Sequence, residues 1–369
     1  MIRVQRSVME NFRNTGKFSA PGTNPPRPTA PNEKTYGPQG AGRTSPTGAF
    51  MRKQAVIGVL TMAVAIGTVG VVGSGALGGS PASAGSGAGG STQGSGSSGT
   101  SGIEAKGGIG GAAAPSGLKA IGLTADQRLI AFRVDKPGAA VPLGRVAGLK
   151  GDTKLVGIDY RVQNNKLYGV GDKGGIYILR EVGAKAGKVS QLTVALRGTS
   201  YGVDFNPAAN RLRVISDTGQ NLRHNLDDPQ GAPAAGTTAA DGTLTNPPVP
   251  PATTGTTAQG VTGAAYTNND LDTTTATTLF DLDTGQDQIS IQSPANAGNL
   301  APTGKLGVNA PLNSGFDIYS SRRSGANAGY AVTGSQMLSV NLLTGKASAT
   351  GSFGKGRQVV DLAIPLRQG

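Results

Sequence analysis

Past residue 118 the chain is written in short runs with a two-residue period, and no sustained helical period appears. Lys166-Leu167-Tyr168-Gly169-Val170, Gly175-Ile176-Tyr177-Ile178-Leu179 and Val189-Ser190-Gln191-Leu192-Thr193-Val194 are of strand length and rich in β-branched and aromatic residues. In Arg211-Leu212-Arg213-Val214-Ile215 arginines alternate with aliphatics, the pattern of a strand with one wet face. Asn164-Asn165, Asp172-Lys173-Gly174-Gly175 and Asp217-Thr218-Gly219 supply turns between the runs. The expectation is an all-β fold.

One phrase returns along these runs. It reads Gly157-Ile158-Asp159-Tyr160, Gly202-Val203-Asp204-Phe205, Gly263-Ala264-Ala265-Tyr266 and Gly315-Phe316-Asp317-Ile318, with a last copy lacking the glycine, Val359-Val360-Asp361-Leu362. The spacings of 45, 61, 52 and 44 residues bracket the length of a four-stranded propeller blade. Four complete units and one orphan strand would leave an unpaired edge, which proteins avoid. The spacing therefore predicts a β-propeller-like fold of five four-stranded blades, closed by pairing of N- and C-terminal strands. Val359–Ile364 would be the innermost strand of a blade completed by residues 121–149, beside Arg128–Val134. Residues 227–260, with Pro247-Pro248 and Pro250-Pro251, read as an excursion whose one strand anchor is Leu244.

Composition divides the rest of the chain. Residues 1–50 form a basic, Pro-rich extension expected to be disordered, and are either an over-extended gene start ahead of Met51 or a cytoplasmic tail. Residues 51–84 read as a signal peptide or a membrane anchor. Arg52-Lys53 precedes the uncharged run Ala55–Val72, and Ala82-Ser83-Ala84 suits a signal peptidase. Residues 85–117 are a Gly/Ser-rich linker, and 118–369 the β domain. Either leader reading places that domain outside the cytoplasm, secreted or held at the cell surface, with membrane contact only through residues 55–72 if they are retained.

The absence of cysteine excludes disulfides, thiol nucleophiles and thiolate metal sites. Nine of the 34 bases and two of the 21 acids fall in residues 1–53, which leaves a mild +6 of the total +13 for the remainder. With no Trp and few aromatics, a stacking surface for nucleic acid is not expected, and the partner is an extracellular ligand of unidentified class. A monomer is expected.

Three constellations bear on chemistry. Asp159, Asp204, Asp317 and Asp361 share one place in the phrase, so a propeller would bring them near its axis. There they either hold a cation, with calcium the candidate, or accept hydrogen bonds from loop amides and orient the blades. No other cofactor is expected. Asp281-Leu282-Asp283-Thr284-Gly285-Gln286-Asp287 has the alternate acids of a calcium loop. Alignment on Thr344-Gly345 shows the equivalent turn formed without them, which favours strand-turn-strand. His224 is the one histidine, with no nucleophile or acid beside it in sequence, and is not read as catalytic. Arg211, Arg213 and Arg223 cluster in one unit and could meet a polyanion, but a solvated strand face is the simpler reading.

The run Gly202-Val203-Asp204-Phe205-Asn206-Pro207, then Arg211–Ser216, then Gly219-Gln220-Asn221-Leu222-Arg223 resembles the core motif of a mostly secreted bacterial family, domain of unknown function 4394. The resemblance extends over about residues 120–366 and implies an exported β-propeller-like domain with no assigned activity or site. Two classes of function stay open: a non-catalytic binding or scaffold module, and a carboxylate- or metal-dependent hydrolase or lyase at the axial mouth. The lack of any nucleophile motif favours the first.

Overall fold

The computed structural model describes residues 117–368, Thr273 and Lys355 excepted. The leader, the anchor and, but for Gly117, the linker lie outside the described residues. Among the described residues no helix is long and apolar enough to cross a membrane.

The strands in chain order are β1 (Lys119–Thr124), β2 (Arg128–Arg133), β3 (Lys136–Arg145), β4 (Leu155–Arg161), β5 (Lys166–Gly171), β6 (Gly175–Arg180) and β7 (Lys185–Gln191). There follow β8 (Tyr201–Asn206), β9 (Arg211–Ser216), β10 (Asn221–His224), β11 (Thr238–Ala240) and the two-residue strands β12 (Thr245–Asn246) and β13 (Thr256–Thr257). The rest are β14 (Val261–Tyr266), β15 (Leu279–Asp283), β16 (Gln288–Gln292), β17 (Leu300–Lys305), β18 (Ser314–Ser320), β19 (Asn327–Thr333), β20 (Gln336–Val340), β21 (Ala347–Ser352) and β22 (Val359–Ala363). They build five antiparallel four-stranded blades around one axis: β22-β1-β2-β3, β4 to β7, β8 to β11, β14 to β17 and β18 to β21. The repeated phrase is the innermost strand of each. Asn165 and Asn210 turn the β4–β5 and β8–β9 hairpins at φ of 53° and 54°, a left-handed conformation that asparagine tolerates.

Both faces of a blade are buried, because each packs on a neighbour. Leu212 and Val214 of β9 join the apolar layer shared with the second blade, while Ile215 joins the layer shared with the fourth. The wet face expected for β9 is therefore absent, and Arg211 and Arg213 are buried at 5% and 2% exposure.

The glycine of the phrase has a steric cause. A Cβ on Gly202 would lie 2.6 Å from the Ala264 backbone nitrogen, and one on Gly315 2.5 Å from Asp361 Cα. Neighbouring inner strands approach too closely there for any side chain.

The ring closes through β22, which is innermost in the first blade. Its neighbour is β1 rather than Arg128–Val134, with Ile121 opposite Ala363 and Gly122 opposite Leu362. Lys119–Thr124 was invisible as a strand because it is short and interrupted by Gly122. The Gln368 side chain extends the pairing, accepting from Lys119 N at 2.8 Å and donating to Lys119 O at 2.9 Å. Residues 227–260 also differ from expectation. Leu244 is buried, but the blade's outer strand is Thr238–Ala240, paired with β10.

Removal of residues 357–369 would take Val359, Leu362 and Ile364 out of the layer between the first and fifth blades and expose two sheet edges. At about 1.5–3 kcal/mol per buried aliphatic side chain, the loss is comparable to the ~5–15 kcal/mol stability of a domain. The truncated protein is expected to aggregate or to lose its cooperative melt by circular dichroism. A soluble truncation with an unchanged melt would contradict closure through β22.

Candidate functional site

At the axis the phrase aspartates are buried and reach across the blade junctions. Phe205 N donates to Asp159 Oδ2 at 2.8 Å, Tyr266 N to Asp204 Oδ1 at 3.2 Å, Ile364 N to Asp317 Oδ2 at 2.6 Å and Ile158 N to Asp361 Oδ2 at 2.7 Å. Three of the four donors lie on the next blade's inner strand and the fourth, Ile364, directly follows one, so the partners are not the loop amides expected. Where Ala265 interrupts the series, the Ile318 amide has no carboxylate across the junction. Asp317 Oδ1 accepts it within its own strand at 2.6 Å.

The four do not form one layer. Asp159 and Asp204 serve the residue after the phrase position of the next blade. Asp317 serves the third residue after Asp361, and Asp361 the residue before Asp159. Both offsets show β22 slipped by two residues along the axis, about 6–7 Å at the rise of a strand. Asp361 thus sits level with the glycines of its neighbours, in line with the contact between Gly315 and its Cα. Asp159, Asp204 and Asp317 do converge, with one oxygen of each within 4.8 Å of the others. These three could hold a cation; Asp361 is not among them.

Burial pushes all four acids up, and the neighbouring carboxylates push Asp159, Asp204 and Asp361 further; Asp317 reaches about 7. The remaining sequence candidates are structural. His224 is fully buried, its ring nitrogens 2.9 Å from Ser190 Oγ and Thr238 Oγ1, and burial pushes it down to about 4. Asp281–Asp287 is the strand-turn-strand of β15 and β16, with Gln286 N donating to Asp283 Oδ1.

A site that sequence reasoning missed lies between the third and fourth blades. This junction has the smallest apolar layer, eight residues against nine between the second and third blades and thirteen at each junction of the fifth blade. Its remainder is polar and encloses a cavity of about 240 Å³ lined by Asn206, Ala209, Arg211, Arg213, Arg223, Tyr266, Pro294, Ala295 and Asn296. Arg213 is its keystone. It donates to Asp241 and Asn221 from Nη1 at 2.7 Å, to Asn296 from Nη2 at 2.8 Å, and to the Tyr266 hydroxyl from Nε at 3.3 Å. Arg223 also pairs with Asp241, through two contacts of 3.2 Å, and Arg211 pairs with Asp228 at 3.0 Å. Behind this wall, Asp281 and its cross-strand partner Ser290 are fully buried, with no partner among the described residues for either Asp281 oxygen or for Ser290 Oγ. Burial raises Asp281 well above the ordinary carboxylate range, against the pull of Arg213. The alternation of Leu and Arg in β9 was the available signal; what it lacked was the identity of the second face.

The four lining residues Asn206, Arg211, Arg213 and Arg223 fall inside the motif that carries the family resemblance, and the family model "Domain of unknown function (DUF4394)" matches residues 128–363. The chain belongs to this family. No curated protein sequence matches this DUF4394 chain. Among solved structures it is similar to a protein of unknown function from Bacteroides thetaiotaomicron VPI-5482, at 12% identity and a TM-score of 0.37, over 71% of this chain and 68% of that one. Myxococcus xanthus glutaminyl cyclase matches at 14% identity and a TM-score of 0.30, over 57% and 70%. A structure of YCF48 bound to D1 peptide matches at 12% and 0.30, over 60% and 61%. Scores this low carry no argument about function.

The axial acids make stability depend on pH with a definite sign. An acid whose folded pKa lies above its ordinary 3.8 takes up a proton on folding, so stability falls as pH climbs from about 4 toward the folded value, near 7 for Asp317. His224 works oppositely: held down to about 4 from 6.5, it costs stability as pH falls through that window. The melting temperature in chelator is expected to fall between about pH 5.5 and pH 8. Asp317→Asn should shrink that fall, and an unchanged profile in the variant would show that Asp317 does not titrate in this range.

Proposed function

We propose that the protein is a non-catalytic binding module working outside the cytoplasm, with its ligand seated between the third and fourth blades. The observation that carries this reading is the polar cavity itself. The junctions of the fifth blade and the one between the first and second are packed with apolar side chains, and the one between the second and third holds one buried arginine, Arg161, paired with Asp227 and Asn210, whereas this one gathers three arginines around an opening. A buried ion pair is a poor source of stability compared with apolar packing, and polar junctions of this kind suit recognition. The leader-like residues 51–84 support the extracytoplasmic setting. Against catalysis, the one hydroxyl–imidazole pair, Ser190 with His224, has Thr238 and not a carboxylate on the other ring nitrogen and is fully buried at the histidine, and each axial carboxylate has an oxygen committed to a backbone amide.

The chain has no cysteine, so a single site can be labelled. Ala209→Cys at the rim, carrying an environment-sensitive dye, is titrated with galactose, galacturonate, inorganic phosphate and spermidine, beside Val182→Cys on the exposed β6–β7 turn as control. A saturable response at 209 and none at 182, from at least one probe, is the expected outcome. Silence to all four would sink the reading.

The convergence of Asp159, Asp204 and Asp317 favours one second reading, a cation-dependent axial centre such as a hydrolase or lyase would use. On that reading calcium chloride raises the melting temperature well beyond matched sodium chloride, more at about pH 8 than at pH 5 because protons and cations compete for the same oxygens. If the pocket is the whole site, chelator and calcium leave the melt within about a degree of each other.

A further inference from the structure

Resting on the reading of the blade 3–4 cavity as the ligand seat, we propose that its ligand is an oxyanion: a carboxylate, sulfate or phosphate group, free or at the end of a small polar molecule. The argument is an account of donors and acceptors in the wall. Every side-chain acceptor there already takes at least one hydrogen bond. Asn206 Oδ1 accepts Ala209 N at 2.8 Å, Asn296 Oδ1 accepts Arg213 Nη2, the Tyr266 oxygen accepts Arg213 Nε, and both Asp241 oxygens accept from Arg213 or Arg223. The carbonyls follow suit: Ala209 O takes Arg211, Ala295 O takes Asn221 Nδ2, Pro294 O takes Ala297 N and Asn296 O takes Gly242 N.

The donors tell the reverse story. Tyr266 accepts and has no acceptor for its own proton among the described residues. The Nδ2 groups of Asn206 and Asn296 have no acceptor among the described residues, and the N–H groups bonded to their oxygens fix the flip. Arg211 commits Nε and Nη1 to Ala232 O, Ala209 O, Asn210 O and Asp228, and its Nη2, with no acceptor among the described residues, lies against Gly231; Arg223 Nη1 has only a long 3.4 Å contact to Ala232 O. A wall whose unpartnered groups are donors is best matched by a group that only accepts, and an oxyanion is that group. Charge agrees. Three guanidinium groups face two carboxylates, Asp228 and Asp241, and burial pushes the Asp281 carboxyl behind them toward its neutral form, so the seat carries a net positive charge. The cavity of about 240 Å³ holds on the order of eight waters at ~30 Å³ each, which sets the ligand at the size of a monosaccharide or smaller. The arginines are preorganised by their carboxylate and carbonyl partners, so little side-chain entropy is lost when the anion enters.

The test is isothermal titration of the full-length protein with galacturonate, galactose, sodium sulfate and sodium phosphate at matched ionic strength. At least one anion is expected to bind at millimolar affinity or tighter, weakening as sodium chloride is raised, while galactose shows no heat. The carboxylate, sulfate and phosphate arms separate the sources of the oxyanion. Arg223→Gln should weaken anion binding at least tenfold and Tyr266→Phe severalfold, each with a cooperative melt retained; Arg128→Gln, on an exposed pair with Asp126, should not weaken it. Galactose binding as well as galacturonate would overturn the oxyanion and leave the seat standing. Anion binding untouched by Arg223→Gln and Tyr266→Phe would place it elsewhere and overturn the proposal, and silence to every probe would overturn both the proposal and the seat.

Discussion

The fold depends on how the innermost strands meet. Each is the edge strand of its blade, and an edge strand buried at an axis has amides that neither sheet nor solvent can satisfy. The phrase solves this with two residue types. Glycine lets adjacent strands come within reach, and aspartate then accepts a backbone N–H across the junction. An unsatisfied buried donor costs about 1–3 kcal/mol, so a clasp at four of five junctions is a large fraction of a domain's stability. The fifth junction shows that the amide matters more than the acid: where Ala265 fails to reach Ile318, Asp317 covers that amide from its own strand.

The solution has an electrostatic cost. Four buried carboxylates near one axis cannot all ionise, and their upward shifts are the consequence. The slip of β22 moderates it by moving Asp361 two residues away from the other three. That slip also explains why the last copy of the phrase lacks glycine. Val359 is the phrase residue that would have been glycine, and in the slipped strand it packs into the apolar layer of the first and fifth blades.

Much of this was legible in sequence. The phrase recurs at blade spacing because glycine and aspartate both do axial work, so blade number and closure follow from counting copies. The strand Lys119–Thr124 was not legible, since Gly122 breaks its apolar run and no copy of the phrase announces it. The axial layering was not legible either, because a two-residue slip leaves no mark on spacing. The arginines of β9 were misread for a deeper reason. A two-residue period separates two faces but does not say what each face meets, and in a propeller the polar face of one blade can be buried against the polar face of the next.

The same limit governs the candidate site. Its wall is drawn from Asn206 to Arg223, from Tyr266, and from Pro294 to Asn296, with Asp241 behind it from the long connection. No one segment carries a site motif, and only the ring brings them together. The physical mark of the site is local inconsistency: Asp281 and Ser290 are orphaned and the apolar layer is thin, at the one junction where three arginines gather. A propeller built for stability alone would fill that space with apolar side chains, as the junctions of the fifth blade do. Departures of this kind concentrate where a fold gives up packing for recognition. The buried guanidinium of Arg213 joins both roles, since it ties the third blade to the fourth through Asn296 and Tyr266 and fixes the donors that face the cavity. Recognition here is a property of the blade junction rather than of loops laid over the ring.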